Sequence, residues 1–275
     1  MKLTYDIGTV CPYINWAYFY HAWQIKDAGE QKRIRQEAEE LLESLRGRYH
    51  TYALFRIEEA WAENDDIMVR DGAETRRLPC LRQQQADSQF LCLADFLQPH
   101  RHHPVSPATL HAPHNTLGLF ATSVDGGMEH DFDADPYQKM MAQLLADRLA
   151  EATAERMHEE VRKRYWGYAA DEDLPIAEMQ QEHFQGIRPA VGYPSLPDAS
   201  MNFLLDRLLD MQQIGIQLTE NGAMRPHASV SGLMLAHPQA RYFSIGRIGD
   251  DQLRDYARRR GFTIEKTRKF LAGNL

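Results

Sequence analysis

Between residues 29 and 46 the apolar positions Ile34, Ala38, Leu41, Leu42 and Leu45 fall three and four apart among charged neighbours. That is the spacing of one buried stripe on a surface helix, and Gly47 is placed to end it. Residues 13–24 are dense in aromatics and predict a helix that is buried or faces a ligand. Tyr52–Ile57 and Ile67–Val69 flank a polar turn, Glu63-Asn64-Asp65-Asp66, and read as paired strands. Phe90–Leu93 and Thr116–Ala121 are further strand candidates. Asp135-Pro136 is a cap followed by a proline at the first helical position, and opens the longest helix. That helix is expected to reach about Trp166, roughly 45 Å at the standard rise, with Leu145, Leu149, Met157 and Val161 on its apolar stripe. A helix from Pro175 to Phe184 and an amphipathic one near 200–213 follow. Ala228–Ala236 and Arg241–Ile248 predict an antiparallel hairpin turning at His237–Ala240, and two short helices close the chain. No repeat is visible. Helices and strands mix without βαβ alternation, which argues for an α+β fold rather than a doubly wound sheet.

Composition narrows the class. The net charge is 31 − 39 = −8, which disfavours a general nucleic-acid binder. No apolar run approaches the ~20 residues of a membrane span, and Met1–Asp6 lacks the apolar core of a signal peptide. Cys11, Cys80 and Cys92 are an odd number without metal-ligand spacing, so a reducing, cytoplasmic setting with buried thiols is expected. His100, His102, His103, His111 and His114 crowd a proline-rich stretch with no Cys or acid well placed beside them, and read as a solvated loop rather than a metal site.

The densest chemical signal is residues 186–198, Gly-Ile-Arg-Pro-Ala-Val-Gly-Tyr-Pro-Ser-Leu-Pro-Asp. Three prolines and two glycines bar a helix and a central strand, leaving a stiff loop of defined shape. It carries one guanidinium, Arg188, and one phenol, Tyr193, which suits a small ligand with a carboxylate and a flat apolar part. A connector whose Arg and Tyr only cap their neighbours fits the same composition.

Arg188-Pro189-Ala190-x-Gly192-Tyr193-Pro194-x-x-Pro197-Asp198 resembles the S-adenosylmethionine-binding signature of the activation (reactivation) domain of cobalamin-dependent methionine synthase. Ala146–Ala152 and Val161–Tyr168 are similar to the long helix that precedes it in that family. Leu218-Thr219-Glu220, Ala228–Gly232 and His237-Pro238 follow it in the family's order. Leu81–Gln84 and Leu93–Phe96 match upstream. The similarity covers nearly the whole chain and is weakest at residues 97–115. It implies a C-shaped single domain over residues 1–275, with a central twisted antiparallel sheet and flanking helices.

The resemblance also assigns roles. It places Asn15, Glu151, Glu182, Arg188, Ala190, Gly192, Tyr193, Tyr242 and Phe243 at an S-adenosylmethionine site. Asp147 is placed where the family contacts the histidine that leaves cobalt. Asp147, Glu151 and Glu155 lie at i, i+4 and i+8, on one helix face; by charge alone this is a solvated acidic face relieved by Arg148 and Lys163. Glu182, six residues before Arg188, can equally be its ion-pair partner. Tyr242 and Phe243 can equally be an ordinary strand pair with one side chain inward. Asn15 stands where the family usually has Asp, so the ligand's ammonium loses a charged acceptor there or finds another.

The sequence carries no Asp-x-His-x-x-Gly cobalamin motif, no Cys set for the zinc that activates homocysteine, and no glycine-rich phosphate loop. It is read as the activation region alone, a free-standing module that makes no methionine by itself. The implied activity is that of a methyltransferase component. It would present S-adenosylmethionine to cob(II)alamin carried by a separate synthase, with a flavodoxin-type reductant. The alternative is a binding or scaffold module, or one that serves another corrinoid protein.

Overall fold

The computed structural model describes residues 1–86, 89–99 and 115–275. The His-rich stretch, His100 to His114, lies outside these residues. The centre is one long strand, β2 (His50–Glu63). Its first half pairs with β1 (Lys2–Asp6) on one side and β5 (Thr116–Val124) on the other, and its last residues pair with β3 (Asp66–Asp71). β4 (Glu74–Pro79) extends the β3 side and β8 (Ser229–Met234) extends the β5 side, giving the order β4-β3-β2-β5-β8, antiparallel throughout. A separate two-stranded ladder joins β6 (Gln217–Leu218) to β7 (Met224–Arg225).

The strand period of two sorts the core. Phe55 and Phe120 face one side with α3 (Ala28–Leu45) and α4 (Pro136–Glu160). Leu54, Leu119 and Leu233 face the other, with Met201 and Leu205 of α6 (Met201–Leu209). Before α3 the chain forms α1 (Ile7–Val10), a 3-10 turn at Cys11–Tyr13 and α2 (Trp16–Ala22). After α4 come the short α5 (Ile176–Met179) and, at the end of the chain, α7 (Asp250–Arg260) and α8 (Ile264–Phe270). The mixed class and the central antiparallel sheet are therefore as the sequence predicts.

The α3 stripe is buried at Ile34, Ala38, Leu42 and Leu45. Asp135 caps α4 by accepting from the backbone N–H of Tyr137 at 2.9 Å and of Gln138 at 3.2 Å. α4 ends at Glu160 and continues as a π-turn over Val161–Tyr165.

Other expectations fail. The hairpin of 228–236 with 241–248 does not form. β8 pairs with β5 on one edge, and its other edge is taken by the loop of residues 187–191, so nothing is left for 241–248. Phe90–Leu93 is no strand. Asp95 accepts from the backbone N–H of Cys92 at 2.9 Å and turns the chain into a 3-10 helix, Leu93–Phe96, which Arg82 fastens by a fork onto both Asp95 oxygens at 2.8 and 2.7 Å. The helix from Pro175 stops at Met179, and the one near 200–213 breaks at Asp210, whose φ is 55°. Aromatic residues 13–24 split between a 3-10 turn and α2. Cys80 and Cys92 are buried thiols, but Cys11 is only half-buried.

Candidate functional site

Loop 187–191 adds an irregular partner to the β8 edge of the six-stranded sheet. Ile187 and Leu235 exchange backbone hydrogen bonds at 2.9 Å each, Leu233 N–H donates to Pro189 O at 3.0 Å, and Val191 N–H donates to Ser231 O at 2.9 Å. Proline is tolerated because this is an edge and its carbonyl still accepts. The loop can lie this close only because position 232 is glycine. A Cβ there would stand 2.2 Å from Pro189 O and 2.8 Å from Phe120 Cε1. Gly232→Ala is accordingly expected to cost roughly 1–3 kcal/mol, the usual range for overpacking, read by urea denaturation; unchanged stability would mean that the loop can withdraw. At its far end Gly192, with φ of 88°, lets the chain turn so that its N–H reaches Leu196 O at 2.8 Å.

Segment 241–248 runs against this turn instead of pairing with β8. Ser195 Oγ donates to Phe243 O at 2.5 Å, and Ile245 N–H donates to Pro194 O at 2.9 Å. The Tyr242 hydroxyl accepts from the backbone N–H of Arg188 at 2.9 Å. Asp198 closes the loop from below, accepting from Ser200 Oγ at 2.8 Å and from Tyr256 OH at 2.7 Å.

Between the loop and α4 lies a cleft of about 740 Å³. The structure brings Asn15, Glu151, Glu182, Arg188, Ala190, Tyr193, Tyr242 and Phe243 to its walls. Gly192 shapes the turn without lining the cleft. Asp147 sits one helical turn above Glu151, outside the lining, and its Oδ1 is 3.0 Å from Nδ1 of the exposed His227. Asn15 caps α2, its side-chain oxygen accepting from Ala17 N–H at 3.1 Å. That oxygen is thus already occupied by backbone.

The charges are arranged unevenly. Arg188 is 10% exposed, and its guanidinium is bonded to Glu155 and lies 5.5 Å from the Phe120 ring centroid. The Glu182–Arg188 pair considered from the sequence is absent. Arg188 Nε is buried and has no partner. Arg148 bonds Glu151 at 2.7 Å, and Tyr193 OH donates to the other Glu151 oxygen at 3.0 Å. Glu182, held at φ of 62°, has no ion pair among the described residues. Burial first, and then the Glu155 charge, push its carboxyl above the ordinary range against the pull of Arg188. Glu155 was visible in the sequence only as the third acid of the helix face; its pairing with Arg188 is tertiary.

Behind the cleft wall stands a buried buttress. Arg162 is bonded to Glu172 at 2.5 Å and 2.9 Å and to His158 Nδ1 at 3.0 Å, and its guanidinium lies 4.2 Å from the ring of Phe184, a cleft-wall residue. An always-charged guanidinium can only donate, so His158 Nδ1 accepts and the proton sits on Nε2. Burial, then the charges of Arg162 and Arg188, hold the His158 imidazole well below its usual pKa. The unfolded chain takes up this proton near pH 6.5 and the native one does not. Stability is therefore full above about pH 6.5 and falls below it, by up to about 1.4 kcal/mol per pH unit. Denaturant titrations at pH 7 and 5.5 should show this slope in the wild type and a flatter one in His158→Gln; equal slopes would contradict the assignment.

The fold is thus an α+β domain with an acid-lined cleft in which two guanidinium groups, Arg148 and Arg188, each keep a buried Nε without a partner, an arrangement suited to small ligands that carry both charges. The sequence profile of the family described as the activation domain of vitamin B12 dependent methionine synthase matches residues 6–261, and the chain belongs to that family. Among solved structures the chain is similar to one described as the crystal structure of the MetH reactivation domain bound to AdoHcy. The TM-score is 0.89 at 34% identity, covering 100% of this chain and 90% of that one. No described helix is long and apolar enough to cross a membrane.

Proposed function

We propose that this chain binds S-adenosylmethionine in the cleft and supports reductive methylation of cob(II)alamin to methylcobalamin on a separate cobalamin-dependent methionine synthase. The carrying observation is the buried Arg188 with its unpartnered Nε–H at one end of an acid-lined cleft. The AdoHcy bound by the similar reactivation domain supports the same ligand class. The residues fit the ligand. Arg188 offers donors to its carboxylate, Glu182 and Glu151 offer negative charge to its sulfonium, and Tyr242 and Phe243 offer backbone and ring surface to adenine. The corrinoid, when bound by the partner, supplies the cobalt that accepts the methyl group. What this chain adds is positioning and electrostatics, so no general base is required. Asp147 is the residue proposed to receive the partner's imidazole. The electron is proposed to come from a flavodoxin-type donor.

The test is a cobalamin spectrum. The chain, S-adenosylmethionine and reduced flavodoxin are added to a synthase holding cob(II)alamin. Methylcobalamin should appear with the chain and not without it. Binding of S-adenosylmethionine with no spectral change would favour the scaffold alternative, to which the occupied Asp147 lends its one structural argument.

A further inference from the structure

Arg188 is not waiting empty-handed. Its guanidinium is already bonded to Glu155, which is itself a cleft residue. A ligand carboxylate that docks on Arg188 therefore meets a carboxylate in residence. Two carboxylates on one guanidinium repel, and the partly buried Glu155 would lose its cation partner. An α-amino acid head group removes both difficulties. Its carboxylate and ammonium hang from the same carbon, so a carboxylate held at Arg188 puts the ammonium beside whichever acid touches Arg188. That acid is Glu155. The rivals are less well placed. Glu151 is held by Arg148 and Tyr193, and the Asn15 oxygen is spent on Ala17 N–H. Glu182 has no bond to Arg188 among the described residues.

We propose that Glu155 is an exchange carboxylate: it neutralises Arg188 in the free protein and transfers to the ligand's α-ammonium when the ligand's carboxylate takes Arg188. The inference rests on the ligand reading above. One ion pair becomes two, and neither Arg188 nor Glu155 is left without an opposite charge before or after. The exchange selects a zwitterionic head over a plain carboxylate, and it supplies the negative charge that Asn15 lacks. The unpaired Glu182, whose carboxyl already feels the Glu155 charge, is left for the sulfonium.

The experiment compares two ligands by calorimetry, S-adenosylmethionine and its α-deaminated analogue, on the full chain. The ratio of their affinities isolates the ammonium and cancels any effect of a substitution on the free protein. Wild type should prefer the amino ligand. In Glu155→Gln, which keeps the side chain's shape, this preference should fall roughly tenfold or more, as for a lost charged hydrogen bond. Glu182→Gln should keep it, and Asn15→Asp added to Glu155→Gln should restore part of it. Retention of the preference in Glu155→Gln, or its loss in Glu182→Gln alone, overturns the inference while leaving the ligand reading intact. If wild type binds neither compound, the ligand reading fails and takes the exchange with it.

Discussion

Replacing Arg162 by methionine is expected to lower stability by about 3–5 kcal/mol, the cost of breaking a buried ion pair from one side. The Arg162 side chain is 1% exposed and Glu172 is 8% exposed, so water cannot solvate the carboxylate left behind. His158 Nδ1 also loses its donor, and Phe184 loses the cation over its face. Urea denaturation reads the loss directly. The double variant Arg162→Met, Glu172→Leu should recover much of it, because two well-packed apolar groups leave no charge uncompensated. A single variant within about 1 kcal/mol of wild type, the usual range for an exposed pair, would show that the pair is dispensable to the wall behind the cleft.

The second large effect is on binding. Arg188→Ala should weaken S-adenosylmethionine by roughly 10- to 150-fold, equivalent to about 1.5–3 kcal/mol for a hydrogen bond to a charged group. The guanidinium is nearly enclosed, so its bond to an incoming carboxylate is little screened. The other guanidinium of the cleft, Arg148, is held by Glu151, and that acid also accepts from Tyr193 OH. Calorimetry giving equal affinities for variant and wild type would remove Arg188 as the carboxylate anchor. The fold should survive, since Glu155 is 26% exposed and can be rehydrated.

What the sequence discloses here tracks how local the determinants are. The start of α4 is written in two residues, Asp135 and Pro136, whose capping needs nothing from the rest of the chain. The α3 stripe is legible for the same reason. The missed hairpin depends on which segment wins the free edge of β8. That contest was settled by Gly232 and the proline-rich loop some forty residues upstream, and no window of ten residues records it. β4 carries little strand signal, because four of its six residues are exposed and two of those are arginine. The π-turn after Glu160 leaves no periodic signature, since a single wide turn shifts the pattern only once. In the site, Arg188 and Tyr193 were legible from the stiff loop that carries them. The Glu155 pairing was not, because an acid on a helix face has the same sequence spacing whether it meets solvent or a guanidinium. The contact of Asp147 with His227 likewise joins residues eighty positions apart.

The helix face has one more consequence, and it is metric. Asp147 and Glu155 lie eight positions apart on α4, which at the helical rise is about 12 Å. The helix is fastened to the sheet beneath this stretch, where the Thr122 hydroxyl donates to Ala150 O at 3.0 Å. On the proposed reading Glu155 marks where a head group is gripped at Arg188, and Asp147 lies one helical turn past Glu151, outside the cleft lining. The span between them belongs to a rod, not to a loop, so thermal motion of the walls does not stretch it. α4 is in this sense a ruler: a molecule gripped at Arg188 has its far end set at a fixed reach, and one that is a bond or two longer or shorter is presented in the wrong place, however well its head is held.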